Sequence, residues 1–448
     1  MKILLVSWYF PPCSTMGALR VGKFAKYLVG EGHDVRIVCA KDQPYAMDHP
    51  VEVPEDFIYR TIWRDINWLP ASIQRVRAGI KSLLSGKTRA PGVGAQDAPP
   101  AAANTPHQPN GILRLILNFY QNLTNIPDGM IGWLLPALRA GRKATKGWKP
   151  DVVFASAPPF TTLIAGRIIA KRAKAPLVIE YRDRWIEDPY GLEDPKFRQW
   201  LDRRIEEWCA RPAVGVVTVS DPWAEDYRQR WGKPVAVAYN GFDPDDVAKL
   251  DDVPPSGSDK LKILYTGIIY PERRDPTPLF EALSRLGARR DEISVDFYGA
   301  NVGRLEGAVA GHAQQDIVSL RPGIPFAEAL KLQRQADVLL LLQWNDPLEA
   351  GNVPGKLFEY LAARRPVLGI GFEQGVPARI LRERNAGRVL NDPDQIAAYL
   401  TELLDQKKRN GSIDLLPADV SAGLSRPEQY RHIERMLGDA GQLRADAR

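Results

Sequence analysis

Near the N-terminus the apolar positions change rhythm twice. Lys2–Trp8, KILLVSW, is a nearly unbroken apolar run, which predicts a strand buried on both faces. YFPPCSTMG has loop chemistry, and Ala18–Gly32, ALRVGKFAKYLVGEG, returns apolar side chains at Leu19, Phe24, Tyr27 and Leu28 with helical spacing. His33–Ala40, HDVRIVCA, then predicts a second strand. The alternation resumes at DVVFASAPP, a helix after Phe160, APLVIEYRDRW, AVGVVTVS and a helix after Asp221. Strand-helix-strand units of this kind favour a parallel sheet with helices on its faces.

A second series starts at Leu261. It runs through KILYTGIIY, a helix over Pro278–Leu286, ISVDFYGA, DIVSLRPGI, a helix over Phe326–Gln335, ADVLLLLQW, a helix near Gly355 and the strand PVLGIG. The polar stretch DVPPSGSDK, Asp252–Lys260, separates the series. The predicted organisation is an N-terminal Rossmann-like domain over 1–250, a C-terminal one over 251–425, and a C-terminal helix over 426–448 that packs back on the first. Gly86–Gly111 is rich in Gly, Pro and Ala without any period, and is expected to be a mobile insertion. Two basic amphipathic segments flank it, ASIQRVRAGIKSLLSG and GILRLILNFYQNL, readable as packing helices or as interfacial membrane contacts.

Length agrees with two domains, because 448 residues exceed what one hydrophobic core supports. A hydrophobic share of 44% and a charged share of 25% fit a soluble globular chain. The N-terminus lacks the pattern of a secretory signal, and no apolar run approaches the roughly 20 residues that span a bilayer. Cys13, Cys39 and Cys209 form neither a disulfide framework nor a zinc pattern, so a cytoplasmic location is expected. The net charge of +6 is unevenly placed. Between Arg60 and Pro150, thirteen basic residues face Asp65, Asp97 and Asp128 alone, an excess that calls for an anionic partner.

The chemistry is densest in GNVPGKLFEYLAARRPVLGIG, Gly351–Gly371. Pro354 or Gly355 opens a helix whose first amides lack intrahelical partners and whose dipole is positive, which makes an anion site. Lys356 adds a full charge there. Glu359, three residues on, can accept hydrogen bonds from two adjacent hydroxyls. A phosphate beside a vicinal diol describes the diphosphate and ribose of a nucleotide sugar. An exposed ion pair worth a few tenths of a kcal/mol is the plainer reading of Lys356 and Glu359 alone.

NVPGKLFEYLAARRPVL resembles the donor-site segment of retaining glycosyltransferases of family 4, in particular the bacterial branch that makes surface polysaccharides. Further segments occur in that family's order: YFPPCSTMGALRVGKFAKYLVGEGHDVRIVCA, KPDVVFASAPPF, PLVIEYRDRW, VVTVSDPWAEDYRQRWGKPVAVAYNGFDPDD and ILYTGIIYPERR. The resemblance covers most of the chain outside 86–111. It implies an α/β fold of GT-B type, two doubly wound Rossmann-like domains facing an interdomain cleft.

The resemblance also implies roles. The loop at Gly17 would approach the donor diphosphate and border the acceptor. Glu359 would hold the ribose, and Lys356 with the amides of Gly355 to Leu357 the phosphates. Arg273 and Arg274 occupy the place of a basic diphosphate ligand, and RPGIP, with Gly323, that of the loop holding the base. Arg182 and Asp183 stand where the family often has a histidine at the transferred sugar. Catalysis would fall to Asp183, Arg182, Arg274 and Lys356. Asn240 and Gly241 match a family turn whose role is structural.

This chain departs from the pattern in three places. Gly351 stands eight residues before Glu359, where the family has its first glutamate, with Glu349 as a nearby substitute. None of the five histidines lies in EYRDRW, and Ile268 replaces an arginine that often directly follows the glycine of the first C-terminal strand.

The activity implied is hexosyl or N-acetylhexosaminyl transfer from a nucleoside diphosphate sugar, UDP-linked by resemblance, to a glycan or lipid-linked hydroxyl. No metal and no cofactor are expected, since histidines and cysteines do not cluster. The basic region suits peripheral contact with an anionic membrane at its inner face. Two rival readings are a sugar-nucleotide epimerase of the same fold, which needs acid-base residues not evident here, and a basic membrane or nucleic-acid adaptor. Nucleic acid is not an expected partner, because no binding motif accompanies the charge.

Overall fold

The computed structural model describes residues 1–66, 124–186, 194–250, 252–254, 257–270 and 273–446. The insertion expected at 86–111 and its two basic flanks lie outside them. The chain divides into two compact units: unit 1 comprises Met1–Val219, Trp223–Ala238 and Tyr430–Arg448, and unit 2 comprises Ser220–Pro222 and Tyr239–Gln429.

Unit 1 contains β1 (Lys2–Val6), α1 (Met16–Gly30), β2 (Asp34–Ala40), β3 (Ile58–Thr61), α2 (Leu134–Ala144), β4 (Val152–Ala157), α3 (Thr161–Ala173), β5 (Leu177–Tyr181), α4 (Lys196–Ala210), β6 (Gly215–Thr218), α5 (Asp221–Trp231, its first two residues counted with unit 2) and β7 (Val235–Val237). Its strands form one parallel sheet in the order β3-β2-β1-β4-β5-β6-β7. The apolar run of β1 explains its central place. Leu4 and Val6 enter the core beneath α2 and α3, while Ile3 and Leu5 enter the core beneath α1. Successive side chains of a strand point to opposite faces, so a strand covered by helices on both sides must be apolar throughout.

Unit 2 contains β8 (Leu261–Thr266), α6 (Thr277–Arg285), β9 (Ile293–Tyr298), α7 (Glu306–Gly311), β10 (Val318–Arg321), α8 (Phe326–Gln335), β11 (Val338–Leu342), α9 (Gly355–Ala362), β12 (Val367–Ile370), α10 (Val376–Glu383), β13 (Gly387–Val389) and α11 (Pro393–Asn410). Its parallel order is β10-β9-β8-β11-β12-β13. Both sheets are doubly wound, with the strand order turning back between β1 and β4 and between β8 and β11. Ligands of such sheets bind beyond the carboxyl ends of the strands at these turning points.

Apart from Ser220–Pro222, which are counted with unit 2, the chain passes from unit 1 to unit 2 at Ala238/Tyr239 rather than at 250/251. Tyr239–Leu250 packs as part of unit 2: the Tyr239 ring lies 5.6 Å from that of Phe358, Phe242 bridges to Ser425, and Leu250 is buried. The last helix, α12 (Arg426–Asp446), returns to unit 1 from Tyr430 onward, where Tyr430, Ile433 and Leu437 join Phe24 and Phe154 in the core beneath α1. The hydroxyl of Tyr430 donates to the backbone oxygen of Arg20 at 3.1 Å.

Candidate functional site

The residues expected to hold a donor diphosphate gather at the carboxyl ends of β8, β9 and β11 in unit 2. β8 ends at Thr266, and Gly267 follows with φ +140°, a backbone conformation that side chains disfavour. A Cβ on Gly267 would collide with the ammonium of Lys356, and one on Gly299, with φ +151°, would collide with the backbone of Gly267. The two glycines bring the ends of β8 and β9 together and open a notch into which Lys356 projects. Gly323, after β10, lies against the same place, 3.9 Å separating the position of its missing Cβ from the Cα of Gly299.

Lys356 is the second residue of α9. Pro354 precedes the helix in extended geometry and no side chain caps this end. The amide of Leu357 donates to the carbonyl of Pro354 at 3.1 Å, so the helix-mouth donors rest on Gly355 and Lys356. The ammonium of Lys356 donates to the hydroxyl of Tyr265 at 3.2 Å and lies 4.3 Å from that ring's centroid. Burial pushes the Lys356 amine below its ordinary value, partly offset by Tyr265. Burial would raise the Tyr265 phenol, but the charges of Lys356 and Arg274 prevail and hold it lowered.

Arg274 donates to the backbone oxygen of Ile268 at 3.1 Å and its guanidinium lies 4.5 Å from the Tyr270 ring. Arg273 lies 4.5 Å from the ring of Trp344, just beyond β11. Both arginines act electrostatically on Glu349, whose carboxyl burial raises while Asn352, donating at 2.7 Å, and then the two guanidinium groups restrain it. The carboxylate missing at Gly351 therefore has a buried counterpart two residues earlier, within the field of both arginines.

Glu359 stands on the half-buried side of α9. Burial raises its carboxyl; Arg426, a hydrogen bond from Gln333 and Lys356 pull the other way. Gln333 also donates to Thr266 at 3.0 Å, and the buried Arg426 lies 3.7 Å from Asp243.

In unit 1, Thr15 caps α1 by accepting from the amide of Ala18 at 3.2 Å. Gly17 is a glycine for a steric reason, since a Cβ there would overlap the guanidinium of Arg182. That guanidinium donates from Nε to the carbonyl of Ala157 at 3.2 Å, bonds the carbonyl of Pro158 and lies 5.8 Å from the Tyr9 ring. Arg182 thus ties itself to the loop after β4 and packs against the start of α1, while Asp183 beside it is exposed. Beneath them lies a buried ion pair: Arg20 meets Glu180 at 2.7 Å and donates to the carbonyl of Ala238 at 2.9 Å, and Ser156 bonds the second carboxylate oxygen.

Each expected residue thus falls at one of two places: Arg273, Arg274, Gly323, Gly355, Lys356, Leu357 and Glu359 in unit 2, and Gly17, Arg182 and Asp183 in unit 1. The hydrophobic pattern gave no sign of Tyr265, Gly299, Gln333, Trp344 or Arg426. Tyr265 and Gln333 resemble ordinary core positions of a strand and a helix, and only the fold brings them beside Lys356 and Glu359. Two Asp-Pro-Asp triplets could suggest a metal motif by spacing. They are helix starts instead: Asp243 accepts from the amide of Asp245 at 3.0 Å, and Asp392 from Asp394 and Gln395 at 2.8 and 3.1 Å. A cavity of about 820 Å³ opens beside β3 and α2, lined by Tyr59, Arg60, Arg64, Leu135, Arg139 and Lys143 among others, and contains none of the expected site residues.

A family model described as a glycosyl transferase 4-like domain matches residues 17–241. No curated protein matches the chain by sequence. Among solved structures, HepE of Anabaena in complex with UDP and glucose aligns at 14% identity and a TM-score of 0.58, covering 98% of this chain and 99% of that one. A glycosyltransferase of Rickettsia africae aligns at 13% identity and 0.58, covering 98% of each. Sucrose-phosphate synthase of Thermosynechococcus elongatus aligns at 13% and 0.53, covering 99% and 98%. These likenesses establish the fold, two parallel-sheet α/β domains of GT-B type.

Proposed function

The chain belongs to the glycosyl transferase 4-like family, and on that footing we propose that it is a retaining, metal-independent glycosyltransferase that uses a UDP-sugar. The acceptor is a hydroxyl of a glycan or of a lipid-linked glycan in polysaccharide or glycoconjugate synthesis, reached from an anionic membrane surface. The observation that carries this reading is the notch at Gly267 and Gly299, into which the Lys356 ammonium projects from the first turn of α9. A diphosphate is a chemically matched occupant of such a place. HepE, with the same fold, is described in complex with UDP, which favours uridine over guanosine.

In the proposed reaction the bond from the anomeric carbon to the β-phosphate oxygen breaks, and one from that carbon to the acceptor oxygen forms on the same face. The acceptor proton passes to the departing phosphate. Negative charge grows on the diphosphate as the bond lengthens, so Lys356, Arg274, Arg273 and the α9 amides stabilise the transition state more than the ground state. Glu359 holds the ribose diol, the Gly323 loop the base, and Asp183 orients the sugar or acceptor while Arg182 fixes its loop. Glu349 takes up the duty of the absent carboxylate at Gly351.

A thermal-shift screen against UDP- and GDP-sugars tests the donor assignment, since a ligand of the folded state raises its stability. A rise with UDP-sugars alone is expected; a rise with neither would overturn it. Incubation with UDP-sugar without acceptor separates transfer from epimerisation, because a new sugar nucleotide would identify an epimerase.

A further inference from the structure

Four aromatic side chains among the described residues are strongly exposed, and three of them share one helix: Phe197, Trp200 and Trp208 of α4, at 48%, 60% and 42%. With Arg204 and Arg211 they recur at intervals of three and four residues, which places them on a single stripe of the helix. A globular core has no use for such a stripe on its outside, and exposed aromatics clustered in this way mark a surface of contact.

The charge beside the stripe says what kind. Lys196, Arg203, Arg204 and Arg211 are exposed with it, whereas Asp202 and Glu206 are buried, leaving Glu207 as the only exposed acid of the helix. The guanidinium of Arg204 lies 5.7 Å from the Trp200 ring, and that of Arg167, from α3, 3.6 Å from the Trp208 ring. Helices α2, α3 and α4 pack side by side on the same core. Neither α2 nor α3 contains an acidic residue, and their outer sides expose Arg139, Lys143, Lys171 and Arg172. These three helices therefore present a cation-rich surface with aromatic rings along one side. Tryptophan rings favour the headgroup level of a bilayer, and flanking arginines and lysines meet its phosphates.

We infer that α4 docks the protein on an anionic bilayer surface, with Phe197, Trp200 and Trp208 entering the headgroup boundary and Arg203, Arg204 and Arg211 engaging lipid phosphates. The inference rests on the proposed membrane-side acceptor, but the docking residues of α4 lie outside both groups of site residues and outside the basic region Arg60–Pro150, which adds only Arg139 and Lys143 to the charge beside them.

The test is sedimentation of the full chain with vesicles of phosphatidylcholine alone or mixed with phosphatidylglycerol, for the wild type, Trp200→Ser/Trp208→Ser and Arg203→Glu/Arg204→Glu. Thermal shift by UDP is measured on the same preparations. The wild type should bind the anionic vesicles, and both variants should bind them at least about tenfold more weakly, with the UDP shift unchanged. Wild-type partition that is equal on both vesicles, or variants that sediment like the wild type, would overturn the inference. So would a wild-type dimer that the tryptophan substitutions dissolve, or RNA binding lost with the arginines in place of vesicle binding. A UDP shift without vesicle binding refutes the docking face alone; vesicle binding without a UDP shift refutes the donor assignment alone.

Discussion

Lys356 and Tyr265 are joined in two ways: the ammonium donates to the phenol oxygen at 3.2 Å and lies 4.3 Å from the centre of the same ring. Tyr265 in turn donates to the backbone oxygen of Ile268 at 2.8 Å, the atom that also accepts from Arg274 at 3.1 Å. One tyrosine thereby fixes a lysine from α9 and, through a shared carbonyl, relates it to an arginine from the loop after β8.

Tyr265→Phe keeps the ring and removes the acceptor of the Lys356 hydrogen bond. UDP binding should weaken about tenfold, the scale of one charge-assisted hydrogen bond used for positioning, with little change in Tm. Titration calorimetry with UDP measures the first quantity and calorimetric melting the second.

Glu359→Gln should separate stability from binding. Burial raises the Glu359 carboxyl against the opposing pull of Arg426, Gln333 and Lys356, so the folded chain holds that proton more tightly than the unfolded chain. Between the ordinary carboxylate range and the raised value, stability then falls as pH rises, and the ionised form is a net cost at neutral pH. The variant should melt at or above the wild-type temperature near neutral pH, lose that advantage at about pH 4 and below, and bind UDP more weakly. Melting curves across pH check the sign.

Gly267→Ala places a methyl group where the Lys356 ammonium sits and forces a left-side φ of +140° on a residue with a Cβ. A stability loss of about 1–3 kcal/mol is expected, together with loss of UDP binding. Gly257→Ala, where the added carbon meets nothing within 4 Å, is the matched control and should change neither.

The buried pair under the Arg182 loop predicts an asymmetry. Glu180→Gln strands the charge of Arg20 and should cost about 3–5 kcal/mol, whereas Arg20→Met with Glu180→Leu removes both charges and should recover most of it. Urea unfolding of the two variants gives the comparison.

Much of the fold is legible in the sequence because buried parallel strands leave long apolar runs: β1, β2, β4, β5, β9 and β11 all fall within the predicted stretches, β8 begins one residue before its own, and α8 spans the predicted Phe326–Gln335. Short edge strands such as β7 and β13, at three residues each, carry too little pattern to stand out. Helix α4 is missed for another reason, its aromatics facing solvent where an amphipathic reading expects polar side chains. At the site, Lys356 and Glu359 are legible because a helix fixes their spacing locally. Tyr265, Gln333 and Arg426 come from distant stretches of chain, and no local rule joins them to α9.

The most direct test of the proposed nucleotide site is a comparison of UDP with 2′,3′-dideoxy-UDP by titration calorimetry, on the wild type and on Glu359→Ala. If Glu359 receives the ribose diol, the wild type prefers UDP by about tenfold or more, as two hydrogen bonds to a carboxylate require, and the preference disappears in the variant. An equal preference in both proteins would contradict the account.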